Sequence, residues 1–326
     1  MAFSLPARLR PIWDPVLYHG THARAPFFEG WYFKLVDPTE QYAFAIIPGI
    51  AYGPDGQAHA FVQVLDGKHN QSAYHRFPVT DFRTSDAPFE VRIGPNIFSR
   101  EMITLDLPHL RGTLRLVSPV AWPWRPWSPG IMGWFSFVPF MECYHGIVSL
   151  DHTLAGSLTW QGQEIGFDGG KGYGEKDWGR SFPAAWIWGQ TNHFDRPQTS
   201  LTVSIARIPW VGVDFNGFIV GFLLEGKLYR FATYTGARIR QVHADDQTVT
   251  VVLTRGALRL ELHARRASGG YLAAPVLGVM EGRVNESMSS EVTVTLRRGK
   301  ALLYEGTGRH AGLEVGGNAE ILFVKS

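Results

Sequence analysis

Apolar side chains recur at every second position through most of this 326-residue chain. That period of two restricts the fold more than any other feature, because it belongs to a strand with one face buried. Tyr42–Ile47, Ala60–Leu65, Thr113–Val117, Leu201–Ile208, Phe218–Leu224, Thr248–Leu253 and Glu291–Leu296 all follow it. Between them stand turn sequences: Pro54-Asp55-Gly56, Asp66-Gly67, Gln161-Gly162, Glu225-Gly226 and Arg298-Gly299. No stretch of helical length sustains a helical period. With 13% aromatic residues, 36 Gly and 20 Pro, the composition also favours strands joined by tight turns. The chain is expected to be all-β.

A weak internal repeat divides it further. Phe61–Lys68 resembles Ile219–Lys227, Gly30-Trp31-Tyr32-Phe33 resembles Ala185-Trp186-Ile187-Trp188, and Ser157–Gly169 echoes Val294–Gly306. Two copies of one β unit follow, an N-terminal domain over residues 1–182 and a C-terminal domain over 183–326. Antiparallel barrels remove exposed sheet edges and can hold one apolar ligand inside, so two barrel units packed together fit the strand count. Pro119–Phe140, rich in Trp and Pro, breaks the pattern. It can serve as a lid over an apolar pocket, as an interfacial loop with Trp rings at headgroup level, or as a loop packed onto the barrel.

Charge and cysteine content exclude several classes. The 31 basic and 29 acidic residues leave a net charge of +2 with no basic run, which argues against a nucleic-acid partner. Cys143 is the single cysteine, so an intrachain disulfide and a cysteine-rich zinc site are ruled out. Met1–Gly20 carries charges and prolines and has no signal-peptide core. No window approaches the ~20 apolar residues of a spanning helix. A cytoplasmic protein is expected, with peripheral membrane contact through the Trp-rich loop. No signal sets an oligomeric state.

Phe167–Arg180 is the stretch richest in chemistry. Taken as a strand, it puts Gly170, Gly172 and Gly174 on one face and Lys171, Tyr173, Glu175 and Asp177 on the other. That polar face meets solvent or lines a functional cavity. Further on, Trp186, Trp188, Gln190 and Asn192 share a face, a wall that changes from indole to amide. Such a wall suits a ligand with an apolar body and a polar head, or else the two Trp belong to the core. Glu29 alternates with Phe27, Trp31 and Phe33, so it is buried with an Arg or backbone partner or stands at a barrel rim. Cys143 and His145 point the same way on a strand, but spacing supplies neither base nor oxyanion site for a thiol nucleophile. The histidines show no metal-binding spacing, and neither a phosphate loop nor a Gly-x-Ser-x-Gly elbow is present.

The ordered set Phe28-Glu29-Gly30-Trp31-Tyr32-Phe33-Lys34, Tyr173-Gly174-Glu175-Lys176-Asp177-Trp178-Gly179, Phe182-Pro183 and Trp186-Ile187-Trp188-x-Gln190-x-Asn192-x-Phe194 resembles the tocopherol cyclase family. The resemblance implies two lipocalin-like β-barrel units, related to carotenoid 1,2-hydratases; no cofactor or metal is expected. It also implies an apolar isoprenoid or prenylquinol substrate whose prenyl double bond is protonated, the cation then being captured by oxygen in ring closure or hydration. The acid pair of the hydratase relatives matches Tyr173 and Glu175 here, with Glu in place of Asp. The plant cyclases carry Asn at the position of Asp177.

On this basis Glu175 is the expected general acid, with Tyr173 bonded to it and Asp177 as a like-charged neighbour that helps keep it protonated. A donor working near neutrality needs its carboxyl raised to roughly 6–7. Trp186 and Trp188 would stabilise the cation, joined by Trp178 only if the strand twists or ends there. Gln190 and Asn192 would orient the oxygen, and Glu29 and Trp31 would contribute to substrate binding. The competing expectations are a lipocalin-like carrier with the same pocket but no catalysis, and a β protein whose polar strand only braces the barrels.

Overall fold

The computed structural model describes residues 9–324. The reading of Met1–Gly20 as lacking a signal peptide therefore falls partly outside the described residues. The first sheet has twelve strands: β1 (Phe27–Val36), β2 (Ala43–Tyr52), β3 (Ala58–Asp66), β4 (Gln71–Phe77), β5 (Phe82–Asp86), β6 (Phe89–Ile93), β7 (Asn96–Ser99), β8 (Met102–Asp106), β9 (Leu110–Val117), β10 (Cys143–Trp160), β11 (Gln163–Gly166) and β12 (Lys171–Gly179). Their hydrogen-bonded order is β4-β3-β2-β1-β12-β10-β9-β8-β7-β6-β5, with β11 on β10. The second has ten: β13 (Ala185–Thr191), β14 (Ser200–Trp210), β15 (Val213–Leu224), β16 (Lys227–Ala232), β17 (Arg238–Ala244), β18 (Thr248–Arg255), β19 (Leu258–Arg265), β20 (Gly270–Val276), β21 (Val279–Arg298) and β22 (Ala301–Gly317). Here the order is β16-β15-β14-β13-β22-β21-β19-β18-β17, with β20 on β21. The fold is thus all-β, built on two antiparallel sheets.

Local sequence explains the hairpins. Gln161 and Gly162 take φ of 50° and 85°, and Glu225 and Gly226 take 50° and 80°. Positive φ at both central residues defines the type I′ turn, whose twist matches that of the flanking strands. In β9, Leu110, Leu114 and Leu116 turn into the core while Arg111, Thr113, Arg115 and Val117 are partly or fully exposed. The first sheet's core gathers Trp31, Phe33, Leu35, Leu114, Leu154 and Phe167. The second gathers Ile187, Leu201, Val203, Ile205, Val294 and Leu313.

Two compact units emerge. One comprises Met1–Val64, Ala73–Phe182 and Ala273–Gly282; the other comprises Leu65–Ser72, Pro183–Leu272 and Arg283–Ser326. The sheets share part of their path: β1 to β4 are matched by β13 to β16, and the last strands β12 and β22 lie beside β1 and β13, while beyond β10 the first sheet adds β9 to β5 and beyond β21 the second adds only β19 to β17. The internal repeat is therefore real at the level of strands, but one residue match slips. Trp31 points into its core cluster, whereas its sequence counterpart Trp186 alternates with the core residues Ala185 and Ile187. A one-residue slip exchanges the two faces of a strand.

Two further expectations change. The Phe167–Arg180 strand starts only at Lys171, because Phe167–Gly170 forms a turn with Gly169 at φ 84°. The Trp-rich segment has a single 3-10 turn, Gly133–Phe137, and splits its side chains. Trp122, Ile131, Met132 and Val138 are buried, while Trp124, Trp127, Trp134, Phe137 and Phe140 are exposed. Among the described residues no helix is long and apolar enough to cross a membrane.

Candidate active site

The first unit's site is built on β12, flanked by β1 and β10. Pairing sets Tyr32 opposite Glu175 and Lys34 opposite Tyr173 on one side, and His145 opposite Asp177 on the other. Facing residues of an antiparallel pair point to the same side of the sheet. Tyr173, Glu175, Asp177, His145, Tyr32 and Lys34 therefore share a face, opposite the one that carries Trp31 and Phe33 into the core. Glu175 is 3% exposed, Tyr173 is fully buried and Lys34 is 1% exposed. The face expected from alternation exists; it is buried at Tyr173 and Glu175 and half-buried at Lys171 and Asp177.

Two hydrogen bonds and one longer ion pair link its side chains. The Tyr173 hydroxyl donates to Glu175 Oε2 at 2.5 Å. His145 Nδ1 bonds Asp177 Oδ1 at 2.8 Å, and its Nε2 lies 3.7 Å from Glu175 Oε2. That longer contact is an ion pair without a hydrogen bond. Burial favours the neutral imidazole, but Glu175 and Asp177 together outweigh it and push the His145 pKa up to about 9. The ring is then cationic near neutrality, so Asp177 anchors an imidazolium that stands between the carboxylates. Simple like-charge repulsion of Glu175, the role expected for Asp177, is thereby offset. One ligand atom from each of His145, Glu175 and Asp177 lies within 4.8 Å of the others, a donor set that could hold a metal ion and that sequence spacing did not reveal.

Sequence reasoning missed His145 and Lys34 as members of this face. His145 was legible only as the neighbour-but-one of Cys143; the β10–β12 register brings it to Asp177. Cys143 itself is held as a thiol, since burial and then the nearby Asp177 and Glu142 charges push its pKa well up.

The other face of β12 carries a different cluster. Lys176 is buried and its Nζ lies 2.5 Å from Glu29 Oε1, 2.8 Å from His19 Nδ1, and within hydrogen-bond reach of the Leu17 carbonyl. Its ammonium also lies 4.7 Å from the Trp31 ring centre and 4.9 Å from that of Trp178. Burial pulls the Lys176 pKa down to about 8 despite Glu29. Burial, then Lys176, lowers that of His19 to about 4. The neutral ring thus accepts at Nδ1, leaving Nε2–H for the Pro11 carbonyl at 3.2 Å. Burial alone would raise the Glu29 carboxyl, but Lys176 and His19 bring it below the usual range. The Trp31 indole donates to the Val16 carbonyl at 2.9 Å, and Trp178 stacks on His19 at 3.8 Å. Glu29, Trp31 and Trp178 therefore turn away from Glu175 and fasten residues 16–19. The partner expected for Glu29 was Arg or backbone; it is Lys176 together with the His19 N–H.

In the second unit, β13 pairs Trp186 with Gly316, Trp188 with Glu314 and Gln190 with Gly312. Trp186, Trp188 and Gln190 share the face opposite the one that carries Ala185 and Ile187 into the main cluster; Trp188 is buried there and Trp186 half-buried. The Trp186 indole donates to Glu314 Oε2 at 2.8 Å. Gln190 is 1% exposed, and Asn192, one residue beyond the strand, is equally buried.

A family profile described as "Tocopherol cyclase-like" matches residues 116–317. "Tocopherol cyclase, chloroplastic" of Zea mays is 23% identical over 276 residues, 67% of this chain and 58% of that protein. "Probable tocopherol cyclase, chloroplastic" of Oryza sativa subsp. japonica is 31% identical over 108 residues, 32% of this chain and 23% of that one. The chain thus spans less than two thirds of either plant relative. The fold resembles CghA with Sch210972 (TM-score 0.58, 12% identity, covering 90% of this chain and 89% of that one). It also resembles kievitone hydratase from Nectria haematococca (TM-score 0.50, 11% identity, 90% of each chain).

Proposed function

Because this chain belongs to the tocopherol cyclase-like family, we propose that it protonates a prenyl double bond of an apolar isoprenoid or prenylquinol, with capture of the resulting cation by oxygen. The observation that carries this reading is the linked set of side chains Tyr173, Glu175, His145 and Asp177. Glu175 and His145 share one acidic proton across their 3.7 Å contact; when it resides on Glu175, the acid form gives it to the less substituted alkene carbon, leaving a tertiary cation. Either a hydroxyl of the same molecule or a water adds to that cation, and the proton it sheds restores the Glu175 acid. Tyr173 orients Glu175, and Asp177 holds His145 where its charge responds to each change at Glu175.

Within the second unit, the face carrying Trp186 and Trp188 is proposed as an apolar binding face in its own right, where ring faces would favour an apolar or cationic group. Each buried methylene adds ~0.8 kcal/mol, so an isoprenoid needs no charged anchor. Gln190 and Asn192 are proposed to orient an oxygen. Residues 1–182 and 183–326 are proposed as the two domains, each sheet curling round its own core as a lipocalin-like barrel. Peripheral contact with lipid from the cytoplasmic side is proposed for the Trp-rich loop, which has no acidic residue between Pro119 and Met141.

The test is incubation of wild type and Glu175→Gln with a prenylated hydroquinone. Product from wild type alone, with binding retained by the variant, is expected. Binding by both without product from either would instead favour the carrier, which the same apolar face would also serve.

A further inference from the structure

Gln190 is a buried amide with neither end satisfied. Its Oε1 and Nε2 have no hydrogen-bond partner, although the residue is only 1% exposed. Leaving a buried polar group unpaired costs about 1–3 kcal/mol, so the position is expensive unless something completes it. The strand beneath is shaped around this side chain. Gly312, opposite Gln190, has no left-handed backbone to require glycine, yet a Cβ there would lie 2.9 Å from Gln190 Nε2 and 3.0 Å from the Trp188 ring. Four residues on, a Cβ at Gly316 would lie 2.2 Å from the Trp186 ring. Between them Glu314 holds the Trp186 indole by its N–H. The pattern Gly312-x-Glu314-x-Gly316 therefore lays both indoles and the amide against the backbone of β22, and Glu314 fixes the orientation of one ring.

We propose that Gln190, Trp188 and Trp186 on this glycine floor form a subsite selective for a ligand end that both donates and accepts a hydrogen bond, and that Gly312 sets its depth. A hydroxyl on an apolar body meets that demand: its O–H donates to Oε1 and its oxygen accepts from Nε2–H. A carboxylate offers no donor, and a hydrocarbon offers neither. Gly312 acts as a positioning residue, because a Cβ there would press on the amide and the Trp188 ring and shift them from the places they hold over the strand. The inference rests on the reading of the β13 face as the ligand face, but not on the acid assigned to Glu175.

Calorimetric titration with an alkylphenol, and with the alkylbenzene of the same chain, tests it in wild type, Gln190→Leu and Gly312→Ala. Wild type is expected to prefer the phenol by about tenfold, the ratio that one net buried hydrogen bond supplies. In Gln190→Leu the two probes should bind equally, with the alkylbenzene bound no more weakly than by wild type. Gly312→Ala should weaken both. If Gly312→Ala fails to fold, Gln190→Leu decides alone, since it replaces an unsatisfied amide by an apolar group. Equal affinities in wild type, binding of neither probe, or a preference surviving in Gln190→Leu overturns the subsite. Absence of turnover in the prenylated-hydroquinone assay, with the phenol preference intact, overturns only the acid mechanism.

Discussion

His145 is held by charges on both sides, and its proton is a stability statement. The ring binds its proton more tightly in the folded chain, with a pKa of about 9, than the ordinary 6.5. Its contribution is therefore complete below about pH 6.5 and is lost as the pH rises through about 9, a change on the order of 3 kcal/mol. Lys176 works the other way: with its pKa lowered from 10.5 to about 8, it favours the folded state increasingly across that interval. Urea unfolding of wild type and His145→Gln, compared at each pH, separates the two. The difference between the proteins should be largest near pH 6 and vanish near pH 10; a gap that does not vary with pH would remove the imidazolium. Lys176→Met strands the buried Glu29 charge and should cost about 3–5 kcal/mol. Adding Glu29→Leu should recover most of that loss, measured by the same unfolding curves. At this scale sequence alternation correctly grouped Tyr173, Glu175 and Asp177. It could not find His145 or Lys34, because cross-strand partners are set by register between segments far apart in the chain.

Elements decide which side of a residue matters. β12 has two buried faces with opposite tasks, one joining Glu175 to His145 and the other joining Lys176 to Glu29 and the 16–19 segment. Its end is set by Gly179, at φ 150°, where a Cβ would lie 2.3 Å from the Glu142 carbonyl and 3.0 Å from the Cys143 Cα. Those are backbone atoms at the start of β10, so they can yield only if that strand moves. Gly179→Ala is therefore expected to destabilise the fold by about 1–3 kcal/mol. It should also draw His145 away from Asp177, lowering the imidazole pKa seen by NMR. An unchanged titration would show that β10 is held by other contacts. The I′ hairpins at Gln161-Gly162 and Glu225-Gly226 were legible as turns from their local chemistry alone. The start of β12 was not, because alternation continues through Phe167–Gly170 while the backbone turns there.

For the whole molecule, the outward rings of the Trp-rich loop are the feature that bears on location. The loop is pinned from below: the Trp13 indole donates to the Pro126 carbonyl at 3.0 Å, and Trp13 packs edge-on against Phe137 at 5.6 Å. Trp124 and Trp127 are thus presented on an ordered support, as interfacial aromatic anchors require. Wild type should sediment with phosphatidylcholine vesicles, and a Trp124→Ser, Trp127→Ser double variant should lose at least half of that association while keeping its thermal midpoint. No sedimentation of wild type would dismiss the loop as a lipid contact. The sequence by itself determined that this chain is all-β, where several of its hairpins turn and which residues of each strand share a side, because period and turn chemistry are local. Only the tertiary structure decided which of those sides is core, that Trp31 and Trp186 face differently despite their matching motifs, and that Glu175 meets an imidazole while Glu29 meets an ammonium. Such choices depend on pairing register and on closure over long loops, whose energies come from contacts between strands and leave no periodic mark on either strand alone.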